Sequence, residues 1–233
     1  MPTVPAQPLT RSGMLNSMSL PNRPDSAAPA RSATSAIPGL RALLLGDPGA
    51  GKSTQAHELA RSYGVPHVSM GELLREQGAK RTPSGRRIDR EVAAGELVPD
   101  SLVIEVLLGY LTRSNAKDSY VLDGFPRTLP QAESWQEQGH RFGFAPSIAI
   151  WLVVPRSDLL TRLRDRRVRI GRPDDTDSGI SRRLTISLQS TELLQGFYRR
   201  LGILVEVDGS GTVEEVAGRV RRAAGPRVPP PTS

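Results

Sequence analysis

Cysteine is absent from this 233-residue chain, which excludes a disulfide framework, thiolate metal sites and a cysteine nucleophile. Lysine is scarce, three residues against 28 arginines. That bias runs through the whole chain and makes any single arginine weak evidence of function. No apolar run approaches the roughly 18 residues of a membrane span, so a soluble protein is expected. A core of one globular domain with appendages fits 37% hydrophobic residues at this length.

The formal net charge of +7 is concentrated at the ends. Residues 1–37 carry three arginines and one acid, and residues 219–233 carry four arginines and none. The 181 residues between hold 24 basic and 23 acidic side chains. A nucleic-acid-binding surface is basic on the fold itself, so no nucleic-acid partner is expected.

Residues 1–37 contain six prolines, much Ser and Ala, and no hydrophobic period, a composition that cannot offset its ordering entropy. A disordered extension is expected there, or a start taken too early, with Met14 and Met18 as the alternatives. No h-region of a secretory signal is present. The Arg-rich, acid-poor character fits an organelle transit peptide, but the prolines oppose the amphipathic helix such a peptide needs. Residues 224–233 are expected to form a second disordered tail.

Between the ends, short apolar runs alternate with helical periods. Strands are expected at 42–45, 66–69, 120–123, 148–154 and 203–207. Helices are expected after the first strand, at "GELLREQ" opened by a Ser69/Glu72 capping box, and at 100–113, 128–139, 156–168, 178–201 and 212–223. This alternation predicts an α/β fold with a parallel sheet covered on both faces.

Gly46, Gly51, Lys52 and Ser53 in "GDPGAGKS" match G-x-x-x-x-G-K-[ST] between a strand and a helix. Glycines let successive N–H groups surround phosphate oxygens, the helix start adds positive potential, and Lys52 reaches the β and γ phosphates. A nucleoside triphosphate follows, with a hydroxyl for Mg2+. The phosphate acceptor is left open by this loop. A second stretch, "YVLDGFPRTLPQAESW", addresses it. Asp123 at a strand end suits a water-bound Mg2+, Arg127 is a bidentate anion clamp, and Gln131 offers an amide to a base edge.

With "HVSMGELLR", "GELVPD" and "GRPDD" in order and at similar spacing, residues 40–220 resemble the adenylate kinase family of nucleoside monophosphate kinases. The resemblance implies a P-loop three-layer fold with a five-stranded parallel sheet across 38–223. It also implies a mobile monophosphate-binding flap (69–98) and a short lid (166–176) without zinc. The implied activity is reversible phosphoryl transfer from ATP to AMP, with Mg2+ carried by ATP and met indirectly by Ser53 and Asp123. Gly49, Ala50, Gly51, Lys52, Ser53, Thr54, Arg162, Arg166 and Gly211 are implied on the ATP side. On the AMP side stand Met70, Arg75, the wall Gly95, Glu96, Leu97 and Val98, then Gly124, Phe125, Pro126 and Gln131. Arg127, with Arg75, would clamp the AMP α-phosphate. Arg172 and Arg183, also implied on the AMP side, would bridge toward the transferred phosphoryl, and Lys52, Arg127, Arg166, Arg172 and Arg183 are the implied catalytic set. Asp174 and Asp175 would fix the closed lid. A cytoplasmic monomer is expected.

Two positions depart from the family pattern. Met70 stands where a Thr hydroxyl commonly meets adenine, which keeps a UMP or CMP kinase open as the alternative. Ser53 replaces the loop's usual Gly. A GTPase switch is disfavoured because in "NAKD" (115–118) the lysine falls one place late for N-K-x-D. A non-catalytic nucleotide-binding relative is disfavoured by retention of the charged set.

Overall fold

A computed structural model of the protein describes residues 39–225 except 95, 115, 117 and 171–176, and omits the side chains of 166–170, 177–183, 186 and 188. Thirteen elements occur among the described residues. They are β1 (Arg41–Gly46), α1 (Lys52–Tyr63), β2 (His67–Ser69), α2 (Met70–Gly78), α3 (Pro83–Ala94), α4 (Asp100–Arg113) and β3 (Tyr120–Asp123). The chain continues through α5 (Leu129–Phe142), β4 (Ile148–Val153), α6 (Arg156–Ile170), α7 (Asp177–Arg200), β5 (Leu204–Asp208) and α8 (Val213–Ala224).

The five strands form one sheet in the order β2-β3-β1-β4-β5, and every pairing is parallel. Parallel strands need helical crossovers, and these cover both faces. Alternation along β1 divides the core accordingly. Leu43 and Leu45 join the cluster built with α2, α4 and α5. Ala42 and Leu44 join the one built with α1 and α8. All four are buried, which is why the strand reads as a continuous apolar run.

From β1 the chain crosses to β2 beyond β3, returns to β3 and then passes over β1 to β4, so the two halves of the sheet are wound in opposite directions about β1. A crevice opens at the carboxyl ends of such strands. The register levels those ends: Leu44 pairs with Asp123 and Ile150, and Asp123 pairs with Ser69.

The expected strands and helices are present with ends shifted by at most three residues, and β3 and α4 match at both ends, but two features differ. α3 was not foreseen: it buries only Gly85 and Ile88, too little for a visible period. It packs closely on α2, because a Cβ at Gly85 would collide with the Lys80 and Gln77 carbonyls. The expected Ser69/Glu72 capping box does not form. Ser69 precedes α2 without a side-chain cap bond, and its hydroxyl instead donates to Asp123 Oδ1 at 3.3 Å. A capping box does form at Thr212 and Glu215 before α8.

Beneath the crevice, Trp135 is fully buried. It meets Phe125 edge-on at 5.7 Å and stacks on Phe144 at 6.4 Å. Trp135→Ala is expected to lower the unfolding free energy by about 3–5 kcal/mol, the usual range for a fully buried large aromatic. Chemical denaturation checks this, and a loss under about 1 kcal/mol would show that the aromatic stack does not anchor the Phe125 loop.

Candidate functional site

The crevice holds a cleft of about 410 Å³ that reaches from the β1–α1 loop across the strand ends to α2, α4 and α5. The loop is built by its glycines. Gly49 and Gly51 have φ of 89° and 90°, a left-handed region where a side chain is strained. A Cβ at Gly49 would also lie 2.8 Å from the Leu159 carbonyl of α6. No side chain caps the start of α1, a place where an anion suits the helix dipole. Lys52 Nζ donates to the carbonyls of Gly46 and Asp47, each at 2.8 Å, which holds the ammonium against the loop. Gly49, Gly51, Lys52, Ser53 and Thr54 all line the cleft. Ala50 does not: its methyl is buried in the core and its N–H donates to Asp47 O at 3.1 Å.

Asp123 lies at the cleft floor, 3% exposed. Its carboxylate is oriented by His67, with Nε2 2.9 Å from Oδ2, and by Ser69. Buried carboxylates need such partners. With the Ser53 hydroxyl on the same cleft, the donors are all oxygen and suit a hard cation that also takes phosphate oxygens. The residues therefore fit Mg2+ carried by a nucleotide. Among the described residues no group of three or more His, Asp or Glu forms a self-sufficient metal cage.

The far wall carries the other expected residues. Met70, Arg75, Glu96, Leu97 and Val98 line it from the α2–α4 side. Gly124, Phe125, Pro126, Arg127 and Gln131 line it from the β3–α5 side. Arg75 and Arg127 are exposed, with the Arg75 guanidinium folded back over Gly71 and Arg127 Nε donating to Gly124 O at 3.0 Å. Met70 is 1% exposed and belongs to the core as well as the cleft. Gln131 is 2% exposed, donating from Nε2 to Asp100 Oδ1 and accepting from Arg127 N at Oε1, both at 2.7 Å.

Arg162 enters from α6, with Nη2 donating to Gly209 O at 3.1 Å. Gly211 sits in the β5–α8 turn with φ of 101° and is not among the lining residues. Gly95, Arg172, Asp174 and Asp175 lie outside the described residues, as do the side chains of Arg166 and Arg183.

Three contributors were missed by the sequence reading. Asp47 Oδ1 accepts from Ser187 at 2.7 Å and Thr191 at 3.3 Å, tying the loop to α7 across about 140 residues of chain. His67 and Asp100 orient Asp123 and Gln131 from outside the two main motifs. Nothing local marks these partners; only the fold brings them together.

Residues 44–203 match the sequence profile of the family described as "Adenylate kinase". An adenylate kinase from Leifsonia xyli subsp. xyli is 40% identical over 185 residues, 79% of this chain and 93% of the relative. One from Clavibacter michiganensis subsp. michiganensis is 38% identical over 83% of this chain and 96% of the relative. One from Thermus thermophilus is 38% identical over 80% and 98%.

The Asp47 contacts generate a test. In Ser187→Ala/Thr191→Val, the Asp47 carboxylate loses both hydroxyl donors and is left beside the phosphate-binding loop. A hydrogen bond to a charged group contributes about 1.5–3 kcal/mol, so nucleoside triphosphate binding is expected to weaken about tenfold or more. Titration calorimetry reads it. Wild-type affinity in the double variant would show that these bonds do not shape the loop.

Proposed function

Because the chain belongs to the adenylate kinase family, we propose that its cleft transfers the terminal phosphoryl group of ATP to AMP, giving two ADP. The supporting observation is continuity. A lysine-bearing phosphate loop and a second cationic wall with Arg75 and Arg127 face one 410 Å³ cleft, so two phosphate-bearing substrates can meet end to end.

The residue roles follow from chemistry. Phosphoryl transfer passes through a loose transition state, and catalysis is largely alignment and charge stabilisation. The Gly49–Thr54 backbone wraps the ATP phosphates, and Lys52 releases its carbonyl partners to follow the moving group. Ser53 and Asp123 would hold, indirectly, the Mg2+ that arrives with ATP, which would supply neutralisation of phosphate charge. Arg75 and Arg127 hold the α-phosphate of AMP, Gln131 meets the adenine edge, and Glu96 to Val98 border the base. Arg162 serves the ATP side. Arg166, Arg172 and Arg183 complete the cationic set as a lid over 166–176 closes, and 69–98 closes as the monophosphate flap. Closure excludes water, which otherwise competes as acceptor. Both ends of the cleft come from one chain, so a monomer suffices.

A coupled assay with ATP against AMP, UMP, CMP and GMP tests the activity. Lys52→Met and Arg127→Ala are each expected to fold normally and lose at least about a hundredfold in kcat/KM, the scale for removing a charge-stabilising donor. Near-wild-type turnover by both variants would remove the proposed site.

Met70 carries the second reading, because its thioether packs against apolar surface and offers a base no strong hydrogen bond. One net hydrogen bond contributes about 0.5–1.5 kcal/mol. Met70→Thr is therefore expected to lower the AMP KM about three- to tenfold. The kcat should hold, since a base contact serves ground and transition states alike. The shorter side chain leaves a void in the core cluster to which Met70 belongs, so the melting temperature should fall. An unchanged AMP KM, with wild type preferring UMP or CMP, would favour the pyrimidine reading.

A further inference from the structure

Asp100, the first residue of α4, stands behind Gln131 and is not among the residues that line the cleft. Both its carboxylate oxygens are engaged. Gln131 Nε2 donates to Oδ1 at 2.7 Å, and Thr128 Oγ1 donates to Oδ2 at 3.2 Å. At the other end of the amide, Gln131 Oε1 accepts the Arg127 backbone N–H at 2.7 Å. Thr128 closes the frame by accepting from Gln131 N at 3.2 Å, which also caps α5.

Both amide partners act in one direction only. A backbone N–H donates, and an ionised carboxylate accepts. Turning the amide by 180° would set its oxygen against the carboxylate and its NH2 against the N–H. Gln131 is 2% exposed, so solvent cannot readily compensate for the mismatch. A glutamine amide has two N–H bonds and two lone pairs; with one of each used here, one of each remains for a ligand in a fixed order.

We propose that Asp100 is a specificity-determining positioning residue that locks the Gln131 amide in the orientation suited to adenine. Adenine presents an acceptor at N1 and a donor at N6. Hypoxanthine and guanine present the reverse, N1–H and O6. With the phosphate held by Arg75 and Arg127, the base cannot turn over to compensate, so a locked amide accepts one edge and rejects the other. This rests on the reading that Gln131 meets the base.

Asparagine at 100 separates locking from simple support. It matches aspartate in shape and still bonds Gln131, but its own amide can turn to donate or accept, so it no longer dictates direction. Full-length wild type, Asp100→Asn and Gln131→Ala would be assayed with ATP against AMP and IMP, with melting temperatures measured alongside. The expected result for Asp100→Asn is about a tenfold fall in the AMP-over-IMP ratio of kcat/KM, carried by KM. Its kcat for AMP should stay within about twofold, and its melting temperature should stay close to wild type. Gln131→Ala should lose the preference as well. If Gln131→Ala loses it while Asp100→Asn keeps the wild-type ratio, the lock is refuted and the base reading stands. If Gln131→Ala keeps the preference, the base reading fails and the proposal fails with it.

Discussion

The register of the parallel ladder around β1 is the constraint from which the rest of the site hangs. Leu44 faces Asp123 on one side and Ile150 on the other, and Asp123 faces Ser69. That alignment brings the phosphate loop, the Asp123 carboxylate and the start of α2 to one level. A slip of one residue would exchange the faces of Leu43 and Leu45 with those of Ala42 and Leu44, exposing each set to the wrong layer. A slip between β2 and β3 would likewise draw Asp123 away from His67 and Ser69. The two-sided core therefore sets the level of the site through register, and side-chain contacts then orient each group within it.

The loops that leave the ladder are fixed by different means on its two sides. The β1–α1 loop is held by backbone geometry, with two left-handed glycines, the Ala50–Asp47 turn and a lysine folded onto its own carbonyls. The β3–α5 loop is held by packing and a polar frame, since Phe125 rests on Trp135 while Thr128, Gln131 and Asp100 bond one another. The first design suits a phosphate, which any ring of N–H groups can receive. The second suits a base, whose edges differ by the placing of single protons.

This contrast decides what could be read from the sequence. The proposed phosphate contacts come from residues close together in the chain, so "GDPGAGKS" and "DGFPR" announce themselves by type and spacing. The sheet was equally legible because its strands are buried on both faces and read as apolar runs. α3 was hidden because only Gly85 and Ile88 turn inward. Ser69 looked like a helix cap because its position permits one, yet the carboxylate across β3 competes for its hydroxyl. Asp47 and Asp100 lay inside quoted motifs with no role attached, since their partners stand about 140 and 31 residues away. Polar pairing across a fold leaves no periodic trace.

The same three carboxylates answer a question raised by a site for two polyphosphates. Unpaired anions beside the phosphates would repel substrate, and repulsion is strong where water is excluded. Each is turned toward partners on the protein. Asp47 faces the α7 hydroxyls, Asp100 faces Gln131 and Thr128, and Asp123 faces His67 and Ser69. Hydrogen bonds to charged groups are stronger than those between neutral ones, so acids make firm anchors for the loops. Engaging them with protein donors leaves Lys52, Arg75, Arg127 and Arg162 to set the cleft's positive potential, with Glu72, Glu96 and the partnered Asp123 as the acids that line it. Acidic residues thus build a site for anions, provided the fold supplies each with a donor that local sequence does not reveal.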